Sequence, residues 1–189
     1  AWSNGAITQD IVDVKAGKYS VSIADANGCR DSLSATITQN PQLAVKLDAQ
    51  NIACFGQKSA AVNVTAQGGI PPYTYKWSNG ATSQNITGLG AGNYAVTVTD
   101  SRGCFKNVGA QITEPSKFVT VLESDGDIKC SGEATGFVNI RSSGGVTPYK
   151  YKWSNGDTTR NLAKVPAGAY TLTASDANGC LQTVKTTLI

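Results

Sequence analysis

Between positions 149 and 153, aromatic and basic residues alternate: Tyr149, Tyr151 and Trp153 share one parity, Lys150 and Lys152 the other. Period-two alternation is what a strand with one buried and one solvated face requires. The run therefore predicts a strand whose aromatic side faces a core. Tyr73-Thr-Tyr-Lys-Trp77 has the same pattern, and Tyr94–Val98 and Tyr170–Ala174 alternate likewise. Phe118–Leu122 and Gly136–Ile140 predict short strands, and Leu162 and Val165 lead toward the next one. Closing strands follow, with Val108, Ala110 and Ile112 on one face, as are Val184, Thr186 and Leu188. Between these runs stand turn formers: Gly144-Gly145 and Pro148, Ser154-Asn-Gly156, and Asp176-Ala-Asn-Gly179. Asn-Gly favours tight hairpins, and Asp accepts bonds from the amides of its own turn.

The pattern is written three times. Trp-Ser-Asn-Gly begins at Trp2, Trp77 and Trp153, Ala-Gly-x-Tyr ends at Tyr19, Tyr94 and Tyr170, and Asp-x-x-Gly-Cys begins at Asp25, Asp100 and Asp176. A period near 75 residues is longer than solenoid or propeller repeats and is enough for one small domain. The expected organisation is the back half of a repeat in 1–39 and complete repeats in 40–114 and 115–189. Ala1 falls inside a repeat, which makes the chain read as a piece of something longer. Six or seven short antiparallel strands around a central Trp predict an all-β fold of tandem immunoglobulin-like β-sandwich modules stacked end to end. In that fold Trp2, Trp77, Trp153, Tyr19, Tyr94 and Tyr170 are core aromatics, the tyrosines suited to a tyrosine corner. Asp25, Asp100 and Asp176 cap turns in which Gly28, Gly103 and Gly179 take the left-handed conformation.

The five cysteines fall into two classes. Cys54 and Cys130 each precede a Trp by 23 residues, whereas Cys29, Cys104 and Cys180 each follow one by 27. Within both complete repeats the two classes are 50 residues apart, and the first expectation is a bridge inside each repeat, Cys54–Cys104 and Cys130–Cys180, with Cys29 unpaired by truncation. An objection stands beside it. If the two cysteines sit at opposite ends of a sandwich they are separated by roughly 17–20 Å, whereas a disulfide needs Cα atoms within about 7 Å. Pairing between neighbouring repeats, such as Cys54 with Cys180, and free thiols therefore stay open. Paired cysteines in small β modules point to an oxidising compartment outside the cytosol.

Composition narrows the function classes. The chain has no His and no Cys-x-x-Cys pair, which removes the usual Ser-His-acid arrangement and zinc signatures. No enzyme, metal site or cofactor is expected. Each Asp turn offers calcium a single carboxylate, too few for its usual six to eight oxygens. The acidic group Glu123, Asp125 and Asp127 reads as a solvated loop. Net charge is +3 with both signs interspersed, so no nucleic-acid footprint is expected. No stretch approaches the ~20 apolar residues of a membrane span. Lys76, Lys150 and Lys152 lie on the outward parity, open to anionic polysaccharide, although a plain solvated face accounts for them.

At Gly69-Ile-Pro-Pro-Tyr-Thr-Tyr-Lys-Trp-Ser-Asn-Gly80, Leu89-Gly-Ala-Gly-Asn-Tyr94 and Gly103-Cys104, and again in the third repeat, where Thr147 replaces the first Pro, the chain resembles the SprB repeat family. The resemblance implies a long, repetitive cell-surface protein of gliding Bacteroidetes, exported by type IX secretion and associated with the outer membrane. Its implied partners are neighbouring repeats, the gliding machinery, and extracellular polysaccharide or substratum. The expected function is that of structural spacer repeats in an adhesin filament. Two others are carried with it: carbohydrate-binding repeats acting through avidity, and accessory domains of a secreted enzyme.

Overall fold

The computed structural model describes residues 1–130 and 132–189, and every regular element among them is a β-strand. The first part of the chain forms one hairpin, β1 (Gly17–Ala24) with β2 (Arg30–Ile37), in continuous antiparallel register. Trp2 adds a single bridge to Val21. Then come two six-strand units. The first holds β3 (Ala44–Ala49), β4 (Ala60–Gln67), β5 (Thr74–Trp77), β6 (Ile86–Leu89), β7 (Gly92–Thr99) and β8 (Phe105–Ile112). The second repeats it with β9 (Val119–Gly126), β10 (Gly136–Ser143), β11 (Lys150–Trp153), β12 (Leu162–Val165), β13 (Gly168–Ser175) and β14 (Leu181–Leu188).

Each unit folds its strands into two three-stranded sheets, ordered β3-β4-β6 and β5-β7-β8 in the first, and β9-β10-β12 and β11-β13-β14 in the second. The first, second and fourth strands thus share one sheet, while the third, fifth and sixth share the other. This is an immunoglobulin-like sandwich, and the molecule is a tandem all-β array of such modules. Each has its own core. In one, Val62, Val64, Trp77, Ile86, Val96, Val98 and Ile112 pack together; in the other, Val138, Ile140, Trp153, Leu162, Leu172, Ala174 and Leu188 do. Alternation produces this directly: on β13 the residues Tyr170, Leu172 and Ala174 are buried between less buried neighbours.

The aromatic residues are both packed and polar-anchored. Trp77 and Trp153 are 2% exposed, and their indole N–H groups donate to the carbonyls of Ser83 and Thr159 at 2.9 and 3.0 Å. Tyr170 is buried and donates to Pro166 O at 2.7 Å; Tyr94, half-buried, donates to Gly90 O at 3.2 Å. A hydroxyl closing onto the chain four residues upstream is the tyrosine corner. Trp2 and Tyr19 make the same bonds, to Thr8 O and Lys15 O, yet are only half-buried, which corrects their assignment to a core. Residues 1–37 supply one hairpin and no opposing sheet, so their inner face is only partly covered.

One strand was missed by alternation. Leu162–Val165 pairs with β10, but its burial runs in–out–out–in across a register shift at Gly136/Phe137. The acidic group is also not a loop. Glu123 and Asp125 lie on β9, where Asp125 accepts from Thr186 Oγ1 at 2.6 Å, and Asp127 accepts from the Ile189 amide at 2.9 Å.

Candidate functional site

Each module presents two poles, and the repeated motifs build them. The Trp-Ser-Asn-Gly turn is closed on itself and tied to the neighbouring strand. The Trp153 amide donates to Asp157 O, the Ser154 hydroxyl oxygen accepts from the Thr171 amide at 3.1 Å, and Asn155 Oδ1 accepts from the Asp157 amide at 3.1 Å. Ser78 and Asn79 do the same for Ala95 and Ala81. Thus the motif's Asn closes its own turn, while its Ser fastens the turn to β13 or β7.

The opposite end of the Trp sheet carries the Asp-x-x-Gly-Cys turn. Asp176 Oδ1 accepts from the amides of Asn178 and Cys180, both at 2.9 Å, and its Oδ2 accepts from Val146 at 2.9 Å. Asp100 repeats this with Arg102, Cys104 and Ile70 at 3.0, 2.9 and 3.1 Å. Both carboxylates are buried. Burial pushes their pKa values up, but the amides (Ile70, Cys104 and Arg102 for Asp100; Val146, Cys180, Asn178 and Gly179 for Asp176) more than offset this, and both stay below the ordinary carboxylate value. Asp25 caps its own turn through Asn27 and Cys29 at 2.9 and 2.8 Å and is exposed. Gly28, Gly103 and Gly179 have φ of 85°, 85° and 80°.

The Asp turn faces the previous module. Cys180 is bonded to Cys54, with Cα atoms 5.6 Å apart across a sequence separation of 126. Beside it the Asn178 side-chain amide donates to Ala53 O at 2.8 Å. A shallow cleft next to the bridge is lined by Phe55, Lys117, Phe118, Leu181 and Gln182.

This corrects the expected pairing inside each repeat. Cys54–Cys104 does not form, nor does Cys130–Cys180; Cys29, Cys104 and Cys130 are exposed free thiols. The reason is the length of the last strand. Cys104 immediately precedes β8, whereas the Cys54 loop is tied to the residues after that strand: Ile52 donates to Thr113 O at 3.0 Å, and the Gly56 amide donates to Glu114 Oε2 at 2.7 Å. Eight residues of strand put the two cysteines about 26 Å apart, far beyond disulfide reach.

A pair of functional positions escaped the sequence reading. Asn85 Oδ1 and Asn161 Oδ1 accept from the amides of Val64 and Ile140, each at 2.9 Å. They continue the sheet bonding where β6 and β12 stop. Their recurrence just before Ile86 and Leu162 was the available signal. Lys76, Lys150 and Lys152 are exposed. Among the described residues, no group of three metal-ligating side chains comes together, and no helix is long and apolar enough to cross a membrane.

The SprB repeat family model matches residues 47–82 and 126–158. The two matches fall in corresponding parts of the two sandwich modules. Both matched stretches run from the first strand of a module to its Trp turn, and each contains the loop cysteine, Cys54 or Cys130, of its module. No curated protein matches the chain. Solved structures similar to this chain include the N-terminal eight Ig domains of Down Syndrome Cell Adhesion Molecule, at 17% identity and a TM-score of 0.40 over 95% of this chain. The chain spans 27% of that one. A C-terminal fragment of intimin, solved with the intimin-binding domain of its translocated receptor, matches at 12% identity and a TM-score of 0.33, covering 89% of this chain and 56% of that one. The amphioxus IgVJ-C2 molecule matches at 14% identity and a TM-score of 0.29, covering 80% of this chain and 98% of that one.

Proposed function

We propose that this chain is a spacer segment of a long cell-surface adhesin filament that serves gliding motility and surface attachment. The observation that carries the reading is the bridge between Cys54 of one module and Cys180 of the next. It commits the module ends to each other. The recurrent side chains favour the same view: Trp77 and Trp153 are enclosed in cores, and Asp100 and Asp176 are saturated by backbone amides. None of them is left to stack on a sugar or hold an ion. SprB repeats, by resemblance, belong to exported surface proteins of gliding bacteria, which supports an extracellular location at the outer membrane.

The test is imaging on living cells. Antibody raised against the chain should label fibres on the outer surface, and the label should travel along gliding cells. Label confined to the cell interior would overturn the reading. Stationary surface label together with glycan binding by the purified chain would favour a carbohydrate-binding role instead.

A further inference from the structure

The junction bridge joins two elements that each occur more than once. One half is the loop cysteine. Cys54 accepts at its carbonyl from the Gln57 amide at 3.2 Å, and Cys130 accepts in the same way from Glu133 at 3.1 Å. The other half is the turn cysteine. The amides of Cys29, Cys104 and Cys180 all donate to the Oδ1 of the Asp four residues earlier, at 2.8, 2.9 and 2.9 Å. The same turn is thus rigidly built in three places, and only one of them is joined to a loop cysteine in this chain. Asp25-Ala-Asn-Gly-Cys29 even has the same five residues as Asp176-Ala-Asn-Gly-Cys180, including the Asn that grips Ala53 O at the formed junction.

Within a module the two halves are held at opposite poles and cannot meet, as β8 demonstrates. Cys130 is therefore without a reachable mate in its own module, and it is exposed at the pole that Cys54 uses in the preceding one. We propose that Cys130 is a disulfide acceptor for the Asp-x-x-Gly-Cys turn of a further repeat of this kind. Each loop cysteine then bonds forward to the turn cysteine of the next repeat, and each turn cysteine, Cys104 and Cys29 included, bonds back. The occupant is identified by its chemistry: a thiol at the end of an Asp-capped turn, with a side-chain amide two residues earlier to donate to the carbonyl before the loop cysteine.

Bond formation is a two-electron oxidation, supplied by a disulfide such as oxidised glutathione. The Cys130 thiolate attacks one sulfur and releases a first glutathione thiolate. The turn thiolate then attacks Cys130 Sγ in the mixed disulfide and releases the second. Two thiols lose two protons and two electrons, and one oxidised glutathione becomes two reduced ones.

The experiment extends the full chain by a copy of residues 115–189 after Ile189, folds it in a glutathione redox buffer, and maps disulfides by non-reducing peptide analysis after alkylation. The expected result is two bridges, Cys54–Cys180 and Cys130 to the appended turn cysteine. In Cys130→Ser the appended cysteine should become fully alkylated while Cys54–Cys180 persists. A second arm uses the unextended chain at high concentration, where the free turns of a second copy, at Cys29 and Cys104, are offered to Cys130. Head-to-tail oligomers linked from Cys130 to Cys29 or Cys104, and lost in Cys130→Ser, support the proposal without requiring the appended repeat to fold. A Cys130–Cys180 bond, predominant Cys130–Cys130 pairing, or a Cys130 that stays alkylatable in both arms overturns it.

Discussion

Asp176 rests against Gly145 so closely that a Cβ on the glycine would stand 2.6 Å from Asp176 Oδ2. The glycine also has φ of 61°. Its missing side chain is what lets the loop amide of Val146 reach the buried carboxylate. Gly69 holds the same place against Asp100, with φ of 62°. Gly145→Ala combines a left-handed strain with a backbone-proximal clash. It should destabilise the third module by about 3 kcal/mol, measured by urea denaturation followed through Trp153 fluorescence; a loss within ~0.5 kcal/mol would contradict the account.

Acid should act through the same carboxylates. Their folded pKa values lie below the ordinary one, so their contribution is present above the unfolded value of about 3.9 and is lost as pH falls through the folded value. Thermal midpoints should be flat from neutrality to about pH 5 and drop below about pH 4. Asp176→Asn cannot accept at both oxygens and should lower the midpoint at pH 7, while flattening the acid limb. A variant with an unchanged acid limb would assign the acid sensitivity elsewhere.

The Tyr170 hydroxyl is a clean probe of the corner. Tyr170→Phe leaves the packing and removes the bond to Pro166 O, which is part-buried. The expected cost is about 1–1.5 kcal/mol, read as a shift in the denaturation midpoint. Tyr19→Phe, where the site is exposed, should cost less. Equal costs would mean that burial does not govern the bond.

Lys164 has φ of 55°, whereas its counterpart in the other module is Gly88, at 68°. Lys164→Gly removes the steric penalty of a left-handed side chain, roughly 1–2 kcal/mol, and gives back a little less than 1 in chain entropy. A net gain of about 0.5 kcal/mol is expected in chemical denaturation, and a loss above ~1 kcal/mol would show that Lys164 makes an offsetting contact.

The fate of each expectation follows from what its residues encode. Tyr149, Tyr151 and Trp153 alternate because one sheet face is buried, and that is local information. The turn chemistry of Asp100 and Asp176 is equally local for the Oδ1 bonds. The Oδ2 bonds reach 30 residues back to Ile70 and Val146, and nothing in the local pattern announces them. β12 was hidden because Lys164 sits at positive φ and breaks the alternation. The disulfide was misassigned because the 50-residue spacing in each module describes two poles of one sandwich as well as it describes a bonded pair. Only the strand length between them decides, and it sends Cys54 across the junction.

Cutting the bridge should loosen that junction. In Cys54→Ser the modules keep the connection from Thr113 to Lys117 and the non-covalent contacts of Asn178 and Cys180 with Ala53 O, but lose the covalent cross-link. Spin labels on the exposed Lys76 and Lys152 should give a narrow distance distribution in the oxidised chain and a broader one in the variant. Superimposable distributions would show that the bridge does not restrain the angle.

The covalent tie has one more effect, on tension. When the oxidised chain is stretched from its ends, force travelling along the backbone reaches Cys54, crosses the sulfur atoms to Cys180 and leaves through β14. The intervening span, across a sequence separation of 126, is off the load line. It contains nearly all of one sandwich and the first five strands of the next. Most of each sandwich is sheltered in a slack loop, while β3 and β14, which supplies Leu188 to its core, stay on the taut route in series with one sulfur–sulfur link.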